Sequence, residues 1–257
     1  MAHDREFDIV VYGATGFTGE LVAEYLQSRE LPTLRWALGG RSLAKLEQVR
    51  NTLGLSPTFP LIVADSLDEV ALAELTRRTR VVISTVGPYQ LYGAKLIAAC
   101  AKNGADYVDI CGETAWMRAM IDQHERQAQA SGARIVFSCG FDSIPFELGV
   151  LALQDFAIAN YGSALSKVSG RVRKFAGSFS GGTLASMRAS MAAAVDPAVA
   201  AAMDDPFCLT PGFRGVDQPA GDIVEHDDEM GVWLSPCVMA AINTRNVHRS
   251  NLLQDFR

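Results

Sequence analysis

Gly13-Ala14-Thr15-Gly16-Phe17-Thr18-Gly19 follows the apolar run Phe7–Tyr12 and precedes a helical pattern with Leu21, Val22, Tyr25 and Leu26. Strand, glycine-rich turn and helix in that order present backbone N–H groups and a helix N-terminus to a dinucleotide pyrophosphate. The turn is G-x-x-G-x-x-G, not the G-x-G-x-x-G of the NAD fingerprint. A tight βα turn without a ligand has the same composition, so its weight depends on what surrounds it.

What surrounds it is a repeated alternation. Apolar runs at Arg35–Leu38 (closing on Gly39-Gly40), Leu61–Ala64, Val81–Ser84, Tyr107–Ile110 and Arg134–Ser138 read as strands. Helical patterns separate them. One starts near Ser42 and carries Leu43, Leu46, Val49 and Leu53. A second opens at Ser66-Leu67-Asp68-Glu69, where Ser66 and Glu69 suit a capping box. A third runs from about Gly93 to Lys102 and ends at Asn103-Gly104, and a fourth from about Thr114 to Ser131, stopping at Gly132. Strands this apolar, alternating with helices, imply a parallel sheet covered on both faces. The expected fold class is α/β, a doubly wound parallel (Rossmann-type) sheet with ligand at the C-terminal strand ends.

After Pro145 the rhythm changes. A helix-like Phe146–Ala159 leads to a polar alternating stretch, Ser166–Phe175, then an Ala/Met-rich helix, Thr183–Val195. Asp196–Glu229, with many Pro, Gly and Asp, reads as loop-rich and Trp233–Leu253 as mixed. We therefore expect two domains: 1–145, binding the dinucleotide, and 146–257, a smaller α+β domain covering the nicotinamide end and serving substrate or partner.

The 257 residues are 49% hydrophobic and 20% charged, an ordinary globular composition. A formal charge of -6 gives no global basic field for nucleic acid. The basic clusters Arg77, Arg78, Arg80 and Lys167, Arg171, Arg173, Lys174 read as solvated faces. Five scattered cysteines without C-x-x-C fit a reduced, intracellular setting, and Met1–Glu6 lacks the apolar core of a signal peptide. Met187–Met203, the longest weakly polar tract, is interrupted by Arg188, Ser190, Asp196 and Pro197, so no membrane span is expected.

Strand 2 separates NAD from NADP. An NAD enzyme usually ends it with an acid that binds the ribose 2′-OH. Here the position falls in Gly39-Gly40-Arg41-Ser42. A carboxylate would repel a 2′-phosphate, whereas Arg41 can bind one with two charge-assisted bonds. Ser42, the following helix N-terminus and Lys45 add donors, so NADP(H) is expected. The alternative makes Arg41 an exposed loop charge and Ser42 only a helix cap. Asp65 is placed for the adenine amino group with Ser66 beside it, or for the helix cap. Thr85-Val86-Gly87-Pro88 should pass the nicotinamide ribose. The expected cofactor set is Gly13, Ala14, Thr15, Gly16, Phe17, Thr18, Gly19, Gly40, Arg41, Ser42, Lys45, Asp65, Ser66, Thr85, Val86, Gly87 and Pro88.

Together with Gly13–Gly19 and Gly39-Gly40-Arg41-Ser42, the motifs Gly87-Pro88-Tyr89 with Tyr92-Gly93, Tyr107-Val108-Asp109-Ile110-Cys111-Gly112-Glu113 and Gly140-Phe141-Asp142-Ser143-Ile144-Pro145 come in a fixed order. In this the chain resembles saccharopine-dehydrogenase-like oxidoreductases, and within them the trans-acting enoyl reductases of lipid synthesis. Ser180-Gly181-Gly182-Thr183, Asn243-Thr244-Arg245 and Arg249-Ser250 agree with that branch. The resemblance implies hydride transfer from NADPH to an activated C=C of a lipid or polyketide intermediate. Saccharopine-type relatives work on a C–N bond instead, and a non-catalytic NADP-binding, lipid-associated protein is a third alternative. Members of the branch are longer, so further residues are expected between Gln254 and Asp255 and beyond Arg257.

An enoyl reduction also needs a donor for the enolate oxygen and a proton for the α-carbon. Tyr89, Tyr92 and Asp142 are the catalytic candidates, with Asp109 and Glu113 nearby. Helix packing for the tyrosines and capping for Asp142 and Ser143 are the structural alternatives. Arg245 can hold a carboxylate or thioester oxygen, or form a surface ion pair. His226-Asp227-Asp228-Glu229 reads as a solvated loop, and no metal is expected. Met187, Met191, Met203, Met230 and Met239 suit either an acyl-chain pocket or core packing. The expected partner is a small-molecule or carrier-bound lipid substrate, with no nucleic acid. A homodimer is admitted, as is a cytoplasmic protein touching membrane peripherally.

Overall fold

The computed structural model describes residues 5–29, 31–174, 176–219 and 221–255; 1–4, Phe175 and 256–257, each part of a stretch read above, lie outside them. The first elements are β1 (Phe7–Tyr12), α1 (Phe17–Ser28), β2 (Trp36–Gly40), α2 (Leu43–Thr52), β3 (Leu61–Val63) and α3 (Glu69–Arg78). Then come β4 (Thr79–Ser84), α4 (Tyr89–Tyr92), α5 (Ala94–Asn103), β5 (Asp106–Asp109), α6 (Thr114–Ser131) and β6 (Ile135–Val136). The later elements are α7 (Ile144–Tyr161), α8 (Gly181–Ala193), α9 (Pro197–Asp204), β7 (Glu225–Asp227), β8 (Val232–Leu234) and α10 (Ala240–Leu253).

The six strands β1–β6 form one parallel sheet in the order β3-β2-β1-β4-β5-β6. Strand order reverses at β1, where Tyr12 is paired with Gly39 on one side and Ser84 on the other. Doubly wound sheets bind ligands outside the C-terminal strand ends at such a switch point. Val10, Val11, Leu38 and Val82 are fully buried, as both-face coverage requires. Val11, Ala14, Ala23, Trp36, Leu38, Leu46 and Val49 share one cluster beneath α1 and α2, so the glycine-rich turn is footed on core through Ala14. Of the four residues read as the apolar side of α2, Leu46 and Val49 are buried and Leu53 packs against their cluster, whereas Leu43 is 51% exposed.

Two local expectations are corrected. Helix α3 is not capped by Ser66 and Glu69. Asp65 Oδ1 accepts the Leu67 N–H at 2.8 Å, a turn that carries the chain two residues further before the helix begins. Asp68 is then the N-cap, accepting from Val70 and Ala71 N–H at 2.9 and 3.1 Å. The stretch 196–229 is also not all loop. Asp196 caps α9 by accepting the Ala198 N–H at 2.8 Å, with Pro197 at the first helical position. Strand β7 pairs antiparallel with β8, and Gly231 (φ 65°) closes the hairpin. Residues 166–174 hold neither helix nor strand.

The chain divides into two compact units: Met1–Cys111 with Ala119–Cys139 and Ser180–Ser190, and Gly112–Arg118 with Gly140–Phe179 and Met191–Arg257. The first is the sheet with its helices and most of α8. In the second, α7 packs on α10, and the turn Phe207-Cys208-Leu209-Thr210 is buried. Arg118 donates to Cys208 O at 2.8 Å, and Thr210 Oγ1 bonds Phe207 O and Phe213 O at 2.8 and 2.9 Å. Among the described residues no helix is long and apolar enough to cross a membrane.

Candidate functional site

Two glycines of the turn are required by space. Gly13 has φ 93°, and a Cβ there would lie 2.7 Å from Thr85 Oγ1 and 2.8 Å from Val86 Cγ2. A Cβ on Gly19 would collide with Gly13 O and Ala14 Cα. These close approaches bring the β1 turn, the start of α1 and the end of β4 together. Gly13 and Ala14 N–H donate to Gly39 O at 2.9 and 3.1 Å, which ties in the end of β2. Gly16 is the N-cap of α1 and offers no side chain to it. The first intrahelical bond is Glu20 N–H to Gly16 O at 2.9 Å, so the N–H groups of Phe17, Thr18 and Gly19 face out of the helix end. That is a ready place for an anion.

Beside it lies the β2–α2 corner. Arg41 and Lys45 are exposed, and among the described residues Arg41 enters no ion pair. Ser42 is the N-cap residue of α2, but its hydroxyl makes no cap bond, so capping does not consume it. A Cβ on Gly40 would touch Thr15 Cγ2 at 3.9 Å, which sets this corner against the turn. Burial pushes the Tyr12 phenol well above its ordinary pKa; nearby Asp65 adds to the shift and Arg41 opposes it. Both charges therefore lie within electrostatic reach of the end of β1. Tyr12 OH donates to Ala64 O at 3.2 Å and fixes the end of β3 that carries Asp65. A cavity of about 270 Å³ is lined by Thr15, Glu20, Lys45 and residues of α2. One of about 310 Å³ sits at the other end of the sheet, among Phe7, Leu34, Trp36 and Phe59. The doubly wound fold binds its ligand at the first of these ends.

At the end of β4, Thr85 N–H donates to Tyr12 O at 2.9 Å, and Gly87-Pro88 follows in a cis peptide. Tyr89 is buried. Its phenol donates to Ser84 O at 3.1 Å and accepts the Ile110 N–H at 3.3 Å, so it ties β4 to the end of β5. Tyr92 is 37% exposed at the end of α4. Asp142 falls in the second unit, where its carbonyl accepts Asn243 Nδ2 at 2.9 Å. Ser143 is the N-cap residue of α7 without a side-chain cap bond. Thus Tyr89 and Tyr92 share the Gly87 turn, while Asp142 belongs to the other unit.

Two features escaped the sequence. Asp109 is buried and accepts from Tyr107 OH and from the N–H groups of Cys111 and Ser138, all at 2.9 Å. Ser138 sits at φ 58°, and its hydroxyl donates to Cys111 O at 2.6 Å. The knot locks the ends of β5 and β6; only the acid at a strand end hinted at it. Helix α8 is the second feature. Ser186 Oγ lies 3.4 Å from where a Gly87 Cβ would be, and Ser190 Oγ is 3.2 Å from Gln90 Nε2. No local signal announces a contact across 100 residues.

Arg245 is neither an exposed anion holder nor a surface ion pair. It is buried and donates to Met203 O and Asp205 O, closing the C-terminal end of α9, and to Ala241 O one turn back on its own helix. His248 stacks on Phe207 at 4.5 Å, and burial, with Arg245 secondary, lowers its pKa. Core packing does not account for three of the five later methionines. Met187, Met191 and Met230 are exposed, and Met203 and Met239 are half-buried.

Residues 9–136 match the family described as the saccharopine dehydrogenase NADP-binding domain. A Mycobacterium tuberculosis protein provisionally named a trans-acting enoyl reductase is 44% identical over 266 residues, covering 99% of this chain and 63% of its own length. The trans-acting enoyl reductase of Mycobacterium leprae is 42% identical over 263 residues, covering 98% and 63%. The chain thus spans 63% of the length of these curated relatives. Among solved structures, apo saccharopine dehydrogenase (L-Glu forming) from Saccharomyces cerevisiae aligns with a TM-score of 0.48 at 19% identity, covering 58% of this chain and 31% of that one.

Proposed function

We propose that this chain, whose residues 9–136 match the saccharopine dehydrogenase NADP-binding domain and which is 42–44% identical to proteins named trans-acting enoyl reductases, carries out NADPH-dependent reduction of an activated C=C on a small-molecule or carrier-bound lipid intermediate. One observation carries the proposal. The Gly13 turn, the Arg41 corner and the Thr85–Gly87 turn converge at the strand-order switch, with a cation where an NAD enzyme keeps an acid.

The residues fit the cofactor. The outward N–H groups of Phe17, Thr18 and Gly19 suit its pyrophosphate, and Arg41, Ser42 and Lys45 its 2′-phosphate. Asp65 keeps one carboxylate oxygen beyond its bond to Leu67 and, with Ser66, suits the adenine. Thr85, Val86, Gly87 and Pro88 line the path of the nicotinamide ribose. When bound, NADPH supplies the hydride.

The chain's own part is position and charge. Tyr92, whose phenol is partly exposed, is the donor we assign to the enolate oxygen. Tyr89 is a positioning residue, because its hydroxyl is already engaged at Ser84 and Ile110. Asp142 is the candidate proton source. Residues 1–145 are read as the NADP-binding domain and 146–257 as the substrate or partner domain.

NADPH oxidation followed with enoyl thioesters, and separately with an amino acid plus a keto acid, tests the proposal. Turnover with the enoyl thioester alone supports it. Turnover with the second pair alone points to a C–N oxidoreductase. Tight NADPH binding without turnover in either case leaves an NADP-binding protein. Sedimentation with and without lipid vesicles tests the peripheral membrane contact and the homodimer.

A further inference from the structure

Asp109 is a buried carboxylate to which the proposed reduction gives no part. It stands opposite Ser84 at the last paired position of β4 and β5, and the Gly87-Pro88 turn begins just beyond Ser84. A buried carboxylate is costly unless its oxygens are hydrogen-bonded. Here Oδ1 accepts the N–H groups of Cys111 and Ser138, where the chain leaves β5 and β6, and Oδ2 accepts the Tyr107 hydroxyl. The bond to Cys111 is an Asx turn, in which a side chain bonds the backbone two residues on and so ends the strand. Ser138 is held at φ 58°, left-handed for a residue with a Cβ. Strain of that kind collects where a site needs its backbone fixed.

Ile110 lies inside that Asx turn, and its N–H donates to the Tyr89 phenol at 3.3 Å. The phenol donates in turn to Ser84 O at 3.1 Å. Tyr89 directly follows Gly87-Pro88, so this pair of bonds closes the far side of the turn. The near side is closed by Thr85 N–H on Tyr12 O at 2.9 Å. The near bond needs only β1 and β4, whereas the far ones need Asp109 to have turned Ile110 toward Tyr89. We infer that Asp109 is a positioning residue for the nicotinamide half of the cofactor, acting through Ile110 and Tyr89 on the Gly87-Pro88 turn. Each link is a hydrogen bond that a neutral amide in place of the carboxylate can still start, so geometry and not charge passes along it. This rests on the proposed function, which assigns the turn to the nicotinamide ribose.

Calorimetric titration of the full chain with NADPH and with adenosine 2′,5′-bisphosphate, which has the adenine side of the cofactor but no nicotinamide, tests the inference. Tyr89→Phe should raise the Kd for NADPH about fivefold and leave that for the bisphosphate within about twofold. Asp109→Ala should do the same, and the two changes together should cost no more than either alone, because they act through one contact. Where Asp109→Ala does not fold, Asp109→Ser takes its place. Its hydroxyl can hold the Cys111 N–H in a weaker turn, so its loss should be about threefold and again confined to NADPH. Asp109→Asn keeps a carbonyl oxygen for both N–H groups and an amide for the Tyr107 hydroxyl oxygen, so it should bind NADPH within about twofold of wild type. Equal losses for both ligands, or an unchanged NADPH affinity in Tyr89→Phe, overturn the inference. So does a loss in Asp109→Asn, which would make charge the active element, or additive losses, which would separate Asp109 from the turn. Selective NADPH losses in a chain that does not turn over enoyl thioesters uphold the positioning role and refute the reductase. Turnover with none of these losses does the reverse.

Discussion

Arg41→Ala should separate the two nicotinamide cofactors. The side chain is exposed and outside every ion pair among the described residues, so removing it leaves no buried orphan and disturbs no core. The cost should fall on the 2′-phosphate alone. A charge-assisted hydrogen bond to a phosphate is worth about 1.5–3 kcal/mol, and exposure with salt screening holds it near the lower end. Lys45 and Ser42 remain to compensate in part. About 1.5 kcal/mol corresponds to roughly a tenfold rise in the Kd for NADPH. NADH lacks the phosphate, and its Kd should stay within about twofold. Arg41→Lys keeps a point charge but loses the planar fork, so it should fall between. Titration of both cofactors at low and high salt makes the comparison, and the NADPH advantage should shrink as salt rises. An equal loss for both cofactors would place Arg41 on a shared part of the ligand. An unchanged NADPH affinity would make it a loop charge. Either result refutes the assignment.

Gly13→Ala should cost about 3 kcal/mol, from a positive φ and from a Cβ forced against Thr85 and Val86, and lower Tm by roughly 6–12 °C in calorimetry; an unchanged Tm refutes the packing argument. Asp68→Ala should cost about 1 kcal/mol in chemical denaturation while Ser66→Ala stays within about 0.5, and the reverse ranking would restore the capping box. Burial raises the Glu147 pKa above its usual 4.5, against a lowering hydrogen bond from Ser250. The native state therefore holds that proton to higher pH than the unfolded chain, and stability falls as pH rises from the unfolded value through the folded one. Glu147→Gln should match wild type at acid pH and be the more stable above that window; a gap that does not change with pH removes the argument.

The parts of the fold that were legible in the sequence are those whose cause is local. Strand apolarity, the Gly13–Gly19 turn and the Gly104 cap, left-handed at φ 67°, each follow from residues within a few positions of one another. Helix α3 shows the limit of such rules. Both Ser66 and Asp68 satisfy the sequence preference for a cap, and the choice falls to Asp68 because Asp65 first spends its carboxylate on Leu67. The site divides along the same line. The arginine at the end of β2 is visible because strand, turn and helix fix where that position must be. The engagement of Tyr89 is not, since it depends on Ile110 arriving beside β4 through a separate strand. Arg245 makes the point most sharply. An anion holder or a surface ion pair is what its charge suggests, yet its guanidinium is buried against the Met203 and Asp205 carbonyls at the end of α9 and against Ala241 O on its own helix. Once Asp196-Pro197 is read as the start of α9, a cation at its C-terminal end is what the helix dipole favours. The short helix α9, and not the residues beside Arg245 in sequence, is therefore what draws the arginine forty residues later into the interior of its unit.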